Sequence, residues 1–283
     1  MATWLDQLNN IRRMASYSQG QMWGFPMPSV TEDNNLSHDD QLLAEYIVNN
    51  LSTLDPNHDF GPPGSPINTA GKNSDIYASS WDPNPSEINI INEWGFSVFH
   101  GLLVINPRLK KVGWGYYSDL SKTLKCVAAL NVSQGVDGAA DPGYPVFFPA
   151  DNLTTSRSTC STSELPDPRT SCPGYAGVLP GMPISVQVGP GNVTADASGS
   201  LLLDGTRVEA CLIHEHNYTS PYPVGRQILS ACGAVVLLPL SPLANGPYEV
   251  NISGVKMWGG LPGAWKWHFR VEHAVSIPAT PAA

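Results

Sequence analysis

Charge is scarce in this chain. Only 14% of its residues are Asp, Glu, Lys or Arg, and the balance is acidic, with a formal net charge of −9 over 283 residues. No cluster of Lys or Arg interrupts that balance, which argues against nucleic acid or an anionic membrane surface as a main partner. Long apolar runs are missing as well. The longest, from Ala234 to Leu240 and from Gly101 to Ile105, have the length of a strand or a short helix. Both fall well below the ~18 residues that span a bilayer, so no transmembrane segment is expected. The five cysteines, Cys126, Cys160, Cys172, Cys211 and Cys232, contain no Cys-x-x-Cys pair, which argues against a zinc ribbon or a thioredoxin-like site. An apolar leader is also missing, because Met1-Ala2 runs straight into Trp4-Leu5-Asp6. Two localisations fit that start: a cytosolic protein, or a mature secreted one.

What the chain does have is turn formers, 26 glycines and 26 prolines. They point to many turns and short strands rather than helical bundles. Five cysteines without metal-type spacing fit disulfides, with the pairing open and at least one thiol left over. Seven Asn-x-Ser/Thr sequons, at Asn35, Asn50, Asn131, Asn152, Asn192, Asn217 and Asn251, hint at a glycoprotein. Together these favour a secreted, extracellular protein. The length suits one large domain or two ordinary ones.

In chain order, Trp4, Leu5, Leu8, Ile11, Arg12 and Met14 fall at near-helical spacing and predict an amphipathic first helix. Residues 18–30 read as a loop. Ser37, followed by Asp39 and Asp40, reads as the N-cap of a helix over 38–52 that buries Leu42, Leu43, Tyr46 and Ile47. Residues 54–80 read as a long polar loop wrapped around a site, and a new helix is expected from Pro85. It runs through Trp94 and His100 to the stop at Asn106-Pro107. The run Val112-Gly113-Trp114-Gly115-Tyr116 then reads as a strand whose glycines let another backbone or a ligand come close. A second strand is expected over 124–130. Residues 137–173 read as a linker rich in Pro, Ser and Thr. Short strands follow over 184–188, 193–195, 201–203, 207–213, 234–238, 248–255 and 265–271, spaced as in an immunoglobulin-like sandwich. Trp258, Trp265 and Trp267 belong to that part, with Trp265 and Trp267 on one inward face. The last ten residues read as disordered.

The motifs of the first half resemble those of the CAP superfamily, the SCP/TAPS domain of cysteine-rich secretory, antigen 5 and pathogenesis-related 1 proteins. Asn9 and Arg12 look like its Asn-x-x-Arg helix. Asn57-His58-Asp59 is similar to its His-bearing loop, and Ala70-Gly71-Lys72-Asn73 to its Ala-Gly-Glu-Asn motif. The block carried by Trp94, Ser97, His100, Pro107, Val112, Gly113, Gly115 and Tyr116 matches most closely. Glu164-Leu165-Pro166-Asp167-Pro168, Cys172-Pro173-Gly174-Tyr175 and Trp265-Lys266-Trp267-His268-Phe269 resemble a β-sandwich extension behind some microbial CAP domains. The resemblance implies an α+β protein: a three-layer α-β-α sandwich over residues 4–135, a linker over 136–176 and an all-β immunoglobulin-like sandwich over 177–273.

It also implies a cleft with two histidines and two acidic residues that hold a divalent metal in some members. His58 and His100 fall on the histidine positions and are the candidate metal ligands, with zinc as the possible ion. Lys72 stands where the first acidic residue would be, and Gly95-Phe96-Ser97 after Trp94 leaves the second without a counterpart. Closed and catalytic zinc sites need three or four protein ligands, so Asp59, Asp75 or Glu93 would have to complete the set. Ser97, three residues before His100, meets it on one helix face, but its surroundings are not the Gly-x-Ser-x-Gly turn of a hydrolase. Of the aromatic rings nearby, Trp81, Trp94, Phe96, Phe99, Trp114, Tyr116 and Tyr117, one or two are expected to face the cleft. His214-Glu215-His216 is not the helical His-Glu-x-x-His pattern and reads as an exposed edge or loop.

The preferred expectation is a non-enzymatic binding cleft bounded by Asp59, Lys72, Asp75, Glu93, Ser97 and Tyr116. Its expected partner is a small apolar ligand, a cell-wall component or a protein surface. The alternatives are a metal-dependent hydrolase using His58 and His100, and a structural or adhesive surface module.

Overall fold

The computed structural model describes residues 2–19, 22–55, 57–139, 143–256 and 260–273. Among these residues the chain is a mixed α+β protein with six α-helices and three sheets. Trp258 and the tail beyond residue 273 lie outside the described residues.

Helix α1 (Trp4–Arg13) starts on a capping box between Thr3 and Asp6, and it buries Trp4, Leu8, Ile11 and Arg12. The expected loop after it is instead a hairpin of β1 (Ser16–Gln19) and β2 (Met22–Pro26). A short strand, β3 (Thr31–Glu32), precedes α2 (Asn34–Asn50), which Asp33 caps through the Asn35 amide. Ser37, expected at the cap, sits a turn inside; its hydroxyl donates to Glu32 and accepts from the Trp114 amide. Within the expected 54–80 loop lie α3 (Pro66–Asn73), capped by Ser65, and β4 (Ser74–Ser79). The single expected helix through His100 is broken at residues 96–98 into α4 (Glu87–Gly95) and α5 (Phe99–Val104). Gly95 lets α4 meet α1, since a Cβ there would lie 2.4 Å from Ile11. Helix α5 stops before Asn106-Pro107, as the sequence implies.

Strands β5 (Lys111–Ser118) and β6 (Cys126–Asn131) join β3 and β4 in a four-stranded sheet ordered β3-β5-β6-β4. The glycines of β5 admit a backbone: a Cβ on Gly113 would stand 2.5 Å from Leu36 main chain, and one on Gly115 2.2 Å from Asp40 main chain. Helix α2 therefore lies directly on this face. On the opposite face Trp114 stacks on Trp4 of α1 at 5.4 Å and meets Trp94 of α4 edge-on at 5.8 Å.

The stretch read as a linker carries β7 (Val146–Phe148) and β8 (Leu153–Thr155), and later a 3-10 turn at Pro168–Ser171. Then come β9 (Ile184–Gln187), β10 (Val193–Leu203), β11 (Thr206–Val208) and β12 (Ala210–His214). Helix α6 (Val224–Cys232), β13 (Ala234–Pro239), β14 (Gly246–Lys256) and β15 (Pro262–Val271) close the series. The expected strands at 193–195 and 201–203 are one long β10, and that expected over 207–213 is split into β11 and β12. Helix α6 interrupts what the sequence suggested was all β. Five strands form the sheet β11-β10-β14-β15-β8, and six form β12-β13-β9-β7-β1-β2. The N-terminal hairpin thus completes a sheet made mostly by the C-terminal half. The largest core is correspondingly continuous, running from Trp4 and Ile11 to Trp265 and Trp267, both of which are buried.

Cys172 and Cys211 form a disulfide, while Cys126, Cys160 and Cys232 are buried free thiols. The Asn131 side chain is fully buried and donates to Gln134, so that sequon is closed in the folded chain. Among the described residues, no helix is long and apolar enough to cross a membrane.

Candidate functional site

His58 and His100 come together beside β4, the edge strand of the four-stranded sheet, His58 held by main-chain carbonyls and His100 by the seating of its helix. His58 sits in the left-handed region at φ 53°, and its Nδ1 lies 3.2 Å from the Gly71 carbonyl and 3.1 Å from the Ser74 carbonyl. Carbonyls only accept, so Nδ1 carries the proton and Nε2 keeps its lone pair. Gly71 permits this: a Cβ there would lie 2.8 Å from the His58 carbonyl and 2.9 Å from the Phe60 ring. Asn68 holds the same loop by donating to Asp59 and to the Phe60 carbonyl.

His100 is the second residue of α5, whose ends are both tied to buried charges. At the N-terminal end the amides of Val98, Phe99 and His100 donate to the Glu164 carboxylate at 2.7 to 2.9 Å. At the other end Arg12 donates to the carbonyls of Val104, Asn106, Leu109 and Pro28. An anion at the positive end of a helix and a cation at its negative end match the alignment of the peptide dipoles. Asn9 completes the anchoring with a reciprocal pair of hydrogen bonds to the Val30 main chain. The Asn9 and Arg12 pattern is therefore a device for fixing the His100 helix.

The His100 ring stands between two carboxyls, with Nδ1 3.7 Å from Glu164 and Nε2 3.9 Å from Asp75. Both distances exceed hydrogen-bond range. Burial, reinforced by nearby His58, lowers the His100 pKa to about 3, so the imidazole is neutral around pH 7. Burial also lowers His58. It pushes the carboxyls the other way. Asp75 is raised well above the usual range by burial and by the charges of Glu164 and Asp40, and Glu164 rises to about 7 despite its three amide bonds. Asp40 likewise rises to about 7 through burial, partly offset by bonds from Ser74 and the Asn131 amide.

Two hollows open on either side of the histidine pair. One of about 120 Å³ has Leu54, Ile76, Ala78 and Trp94 beside Glu93, Ser161 and Ser163. The other, of about 100 Å³, has Phe99, Val132, Val224 and Ile228 beside Asp75 and Lys72. His58, His100 and Leu165 line both. A single water needs only ~10–15 Å³ by this kind of measure, so each hollow has room for a small molecule.

The remaining sequence candidates fall as follows. Lys72 turns away from the carboxyls and pairs with exposed Asp59 at 3.3 Å. Glu93 accepts from the hydroxyls of Ser161 and Ser163. The Ser97 hydroxyl donates to the Trp94 carbonyl at 2.8 Å, so Ser97, His100 and Glu93 form no relay. Tyr116 donates to the Pro83 carbonyl at 2.7 Å and lines neither hollow. Of the seven aromatic residues considered, Trp94 and Phe99 line a hollow, and Trp81 is 80% exposed. His214 is buried at the end of β12, and exposed His216 is within 3.0 Å of the Val193 carbonyl.

Sequence reasoning missed Glu164, Ser161 and Ser163, because they lie in the stretch read as a linker. The available signal was an acidic residue beside two prolines in Glu164-Leu165-Pro166-Asp167-Pro168. The donor set does not fit a metal as it stands: among the described residues no group of three or more His, Cys, Asp or Glu side chains is placed to hold one. Asp75 and Glu164 lie on opposite sides of the His100 ring instead of converging on one point.

No protein-family profile matches this chain, and no curated protein matches it. Among solved structures it is similar to PcoC, a methionine-rich copper resistance protein from Escherichia coli. The identity is 18% over 32% of this chain and 80% of that one, with a TM-score of 0.23. The selenomethionine form gives 18% identity over 31% and 82%, with a TM-score of 0.21. Similarity at that level carries no conclusion about the chemistry of the cleft.

Proposed function

We propose that this chain is a secreted CAP-type binding protein, joined to an immunoglobulin-like β-sandwich, that holds a small and mostly apolar ligand without chemical turnover. One observation carries the reading. Two neutral imidazoles sit in a hollow walled by Leu54, Ile76, Ala78, Trp94 and Leu165; its serines bond to the Trp94 carbonyl and to Glu93 rather than to a histidine, and among the described residues no set of metal ligands is assembled. Concave, largely apolar sites with a few fixed polar groups are the usual form of small-molecule sites. The CAP assignment is supported by helices on both faces of the four-stranded sheet and by the Asn9 and Arg12 anchor. The two histidines converge across the 58–100 segment, which also supports it. Secretion is supported by the Cys172–Cys211 bridge, since such bonds persist in oxidising compartments.

The test is a titration of the full chain with an apolar fluorophore whose emission rises in dry surroundings, alongside Ala78→Trp, which fills the larger hollow. Saturable binding in the wild type that is lost in the variant is expected. Equal binding by both proteins would overturn the site. Ester or peptide hydrolysis abolished by His100→Ala would overturn the non-enzymatic reading.

A further inference from the structure

The cleft reading leaves open what the polar part of a ligand would be, and the surroundings of Asp75 bear on that. Three carboxyls around the histidine pair, those of Asp40, Asp75 and Glu164, are 0%, 3% and 6% exposed. Among the described residues no Lys or Arg neutralises them: Arg12 is committed to main-chain carbonyls and Lys72 to Asp59. Asp40 is satisfied by the Ser74 hydroxyl and the Asn131 amide, and Glu164 by its three amides. Asp75 is different. Its Oδ1 is 3.9 Å from His100 Nε2, and its Oδ2 is buried with no partner among the described residues. Buried polar atoms are almost always paired, so an orphan at the wall of a hollow marks a place for a donor from outside. Asp75 lines the smaller hollow together with apolar Phe99, Val132, Leu165, Val224 and Ile228.

We propose that the smaller hollow binds a primary ammonium ion bearing an apolar tail, with the ammonium on Asp75 and the tail against Val224 and Ile228 of α6. This rests on the reading of the cleft as a binding site and names the class of ligand. An ammonium offers three donors and no acceptor, and the hollow's lining includes residues that carry acceptors, Asp75 with its unpartnered Oδ2 and His58, whose Nε2 keeps its lone pair. A carboxylate head brings no donor for the Asp75 oxygen and adds charge of the sign that burial already disfavours at Asp75 and Glu164. A hydroxyl head would supply one donor and no charge. The groups facing Asp75 are Glu164, Asp40, His58 and His100, with Lys72 at the mouth held by Asp59. Burial and the charges of Glu164 and Asp40 push the Asp75 pKa up, so protons compete with an ammonium for this carboxylate and binding tightens as pH rises.

The experiment is calorimetry on the full chain with n-hexylammonium, n-hexanol, hexanoate and zinc ion, at about pH 6 and about pH 8. It is repeated with Asp75→Asn and with Ile228→Trp. Hexylammonium should bind more tightly than hexanol or hexanoate, and more tightly at the higher pH. Asp75→Asn should weaken it roughly 10- to 100-fold, as expected for loss of a charge-assisted hydrogen bond. Ile228→Trp should weaken it too, and this arm with the wild-type pH dependence decides the matter if Asp75→Asn fails to fold. Hexanol binding as tightly as hexylammonium, indifferent to Asp75→Asn, would overturn the ammonium head and leave the cleft standing. Failure of every organic probe would overturn both readings. Stoichiometric zinc that excludes hexylammonium would replace the ammonium with a metal.

Discussion

Replacing Glu164 with Gln should change how the stability of this protein depends on pH, and the sign and size follow from the burial of the carboxyl. Its pKa in the folded chain is about 7, against an ordinary 4.5. The folded value is the higher one, so the fold prefers the protonated acid. The resulting stabilisation is fully present below about pH 4.5 and is lost as pH rises through about 7. At 1.36 kcal/mol per unit, the difference amounts to about 3 kcal/mol. His100 works against it. Its folded value is about 3 against 6.5, so the unfolded chain takes up a proton that the folded one refuses. Stability therefore falls as pH drops below 6.5. Between about pH 4.5 and 6.5 the two effects oppose each other, and the wild-type profile alone is uninformative. The difference between wild type and Glu164→Gln isolates one of them.

Urea titrations from about pH 4.5 to about pH 8.5 give that difference at each pH. Wild type minus variant should grow by about 3 kcal/mol from the alkaline to the acid end. Asp75, pushed up partly by Glu164, gives up its proton more readily in the variant, which adds to the figure. A difference constant to within ~0.5 kcal/mol, or one that grows with pH, would refute the buried, amide-bound carboxyl.

Three further outcomes follow from the packing. Gly115→Ala puts a methyl group 2.2 Å from the Asp40 main chain, where nothing flexible can give way, so a loss of about 3 kcal/mol or more is expected in thermal melts. Arg12→Met orphans carbonyls of Pro28, Val104, Asn106 and Leu109 and should cost at least ~3 kcal/mol. Arg12→Lys should recover little of that, because a compact ammonium cannot span four carbonyls, and urea midpoints of both variants check this. Joint replacement of Cys172 and Cys211 by Ser opens a loop with a sequence separation of 39 and should cost about 4 kcal/mol. Thiol titration of the wild type should detect three further thiols only after unfolding.

Much of the cleft's frame was legible in the sequence. The spacing of Trp94, His100 and the two glycines of β5 anticipated a helix delivering one histidine to a strand under close backbone approach, and Gly113 and Gly115 show that backbone to be α2. His58 was legible only through the resemblance. Local signals failed where tertiary contacts overrode them. The Gly- and Pro-rich segment over 18–30 suggested a loop, yet Phe25 and Pro26 pair with Tyr17 and Ser16, which pair in turn with Val146 and Phe147 of β7. Helix α6 was hidden among strand patterns, although Val224, Ile228, Leu229 and Cys232 keep helical spacing and Gly233 supplies a left-handed stop at φ 56°. Glu164 lay beyond reach because its role arises from an approach 64 residues along the chain, to the His100 amide. Both acidic partners of the cleft looked absent from the motif positions. From the sequence Asp75 reads only as a substitute ligand, and Glu164 only as part of a motif that resembles the β-sandwich extension.

The position of Glu164 bears on the order in which the cleft is made during synthesis. Everything that carries the two imidazoles has left the ribosome once residue 100 is out, but the anion that seats the start of α5 arrives only after residue 164. Domains generally fold as units behind the moving chain, so a nascent or trimmed chain ending near residue 135 would have both histidines and an α5 whose leading amides face water. Such a fragment would also lack Leu165, which lines both hollows of the whole chain, and β7, with which β1 pairs.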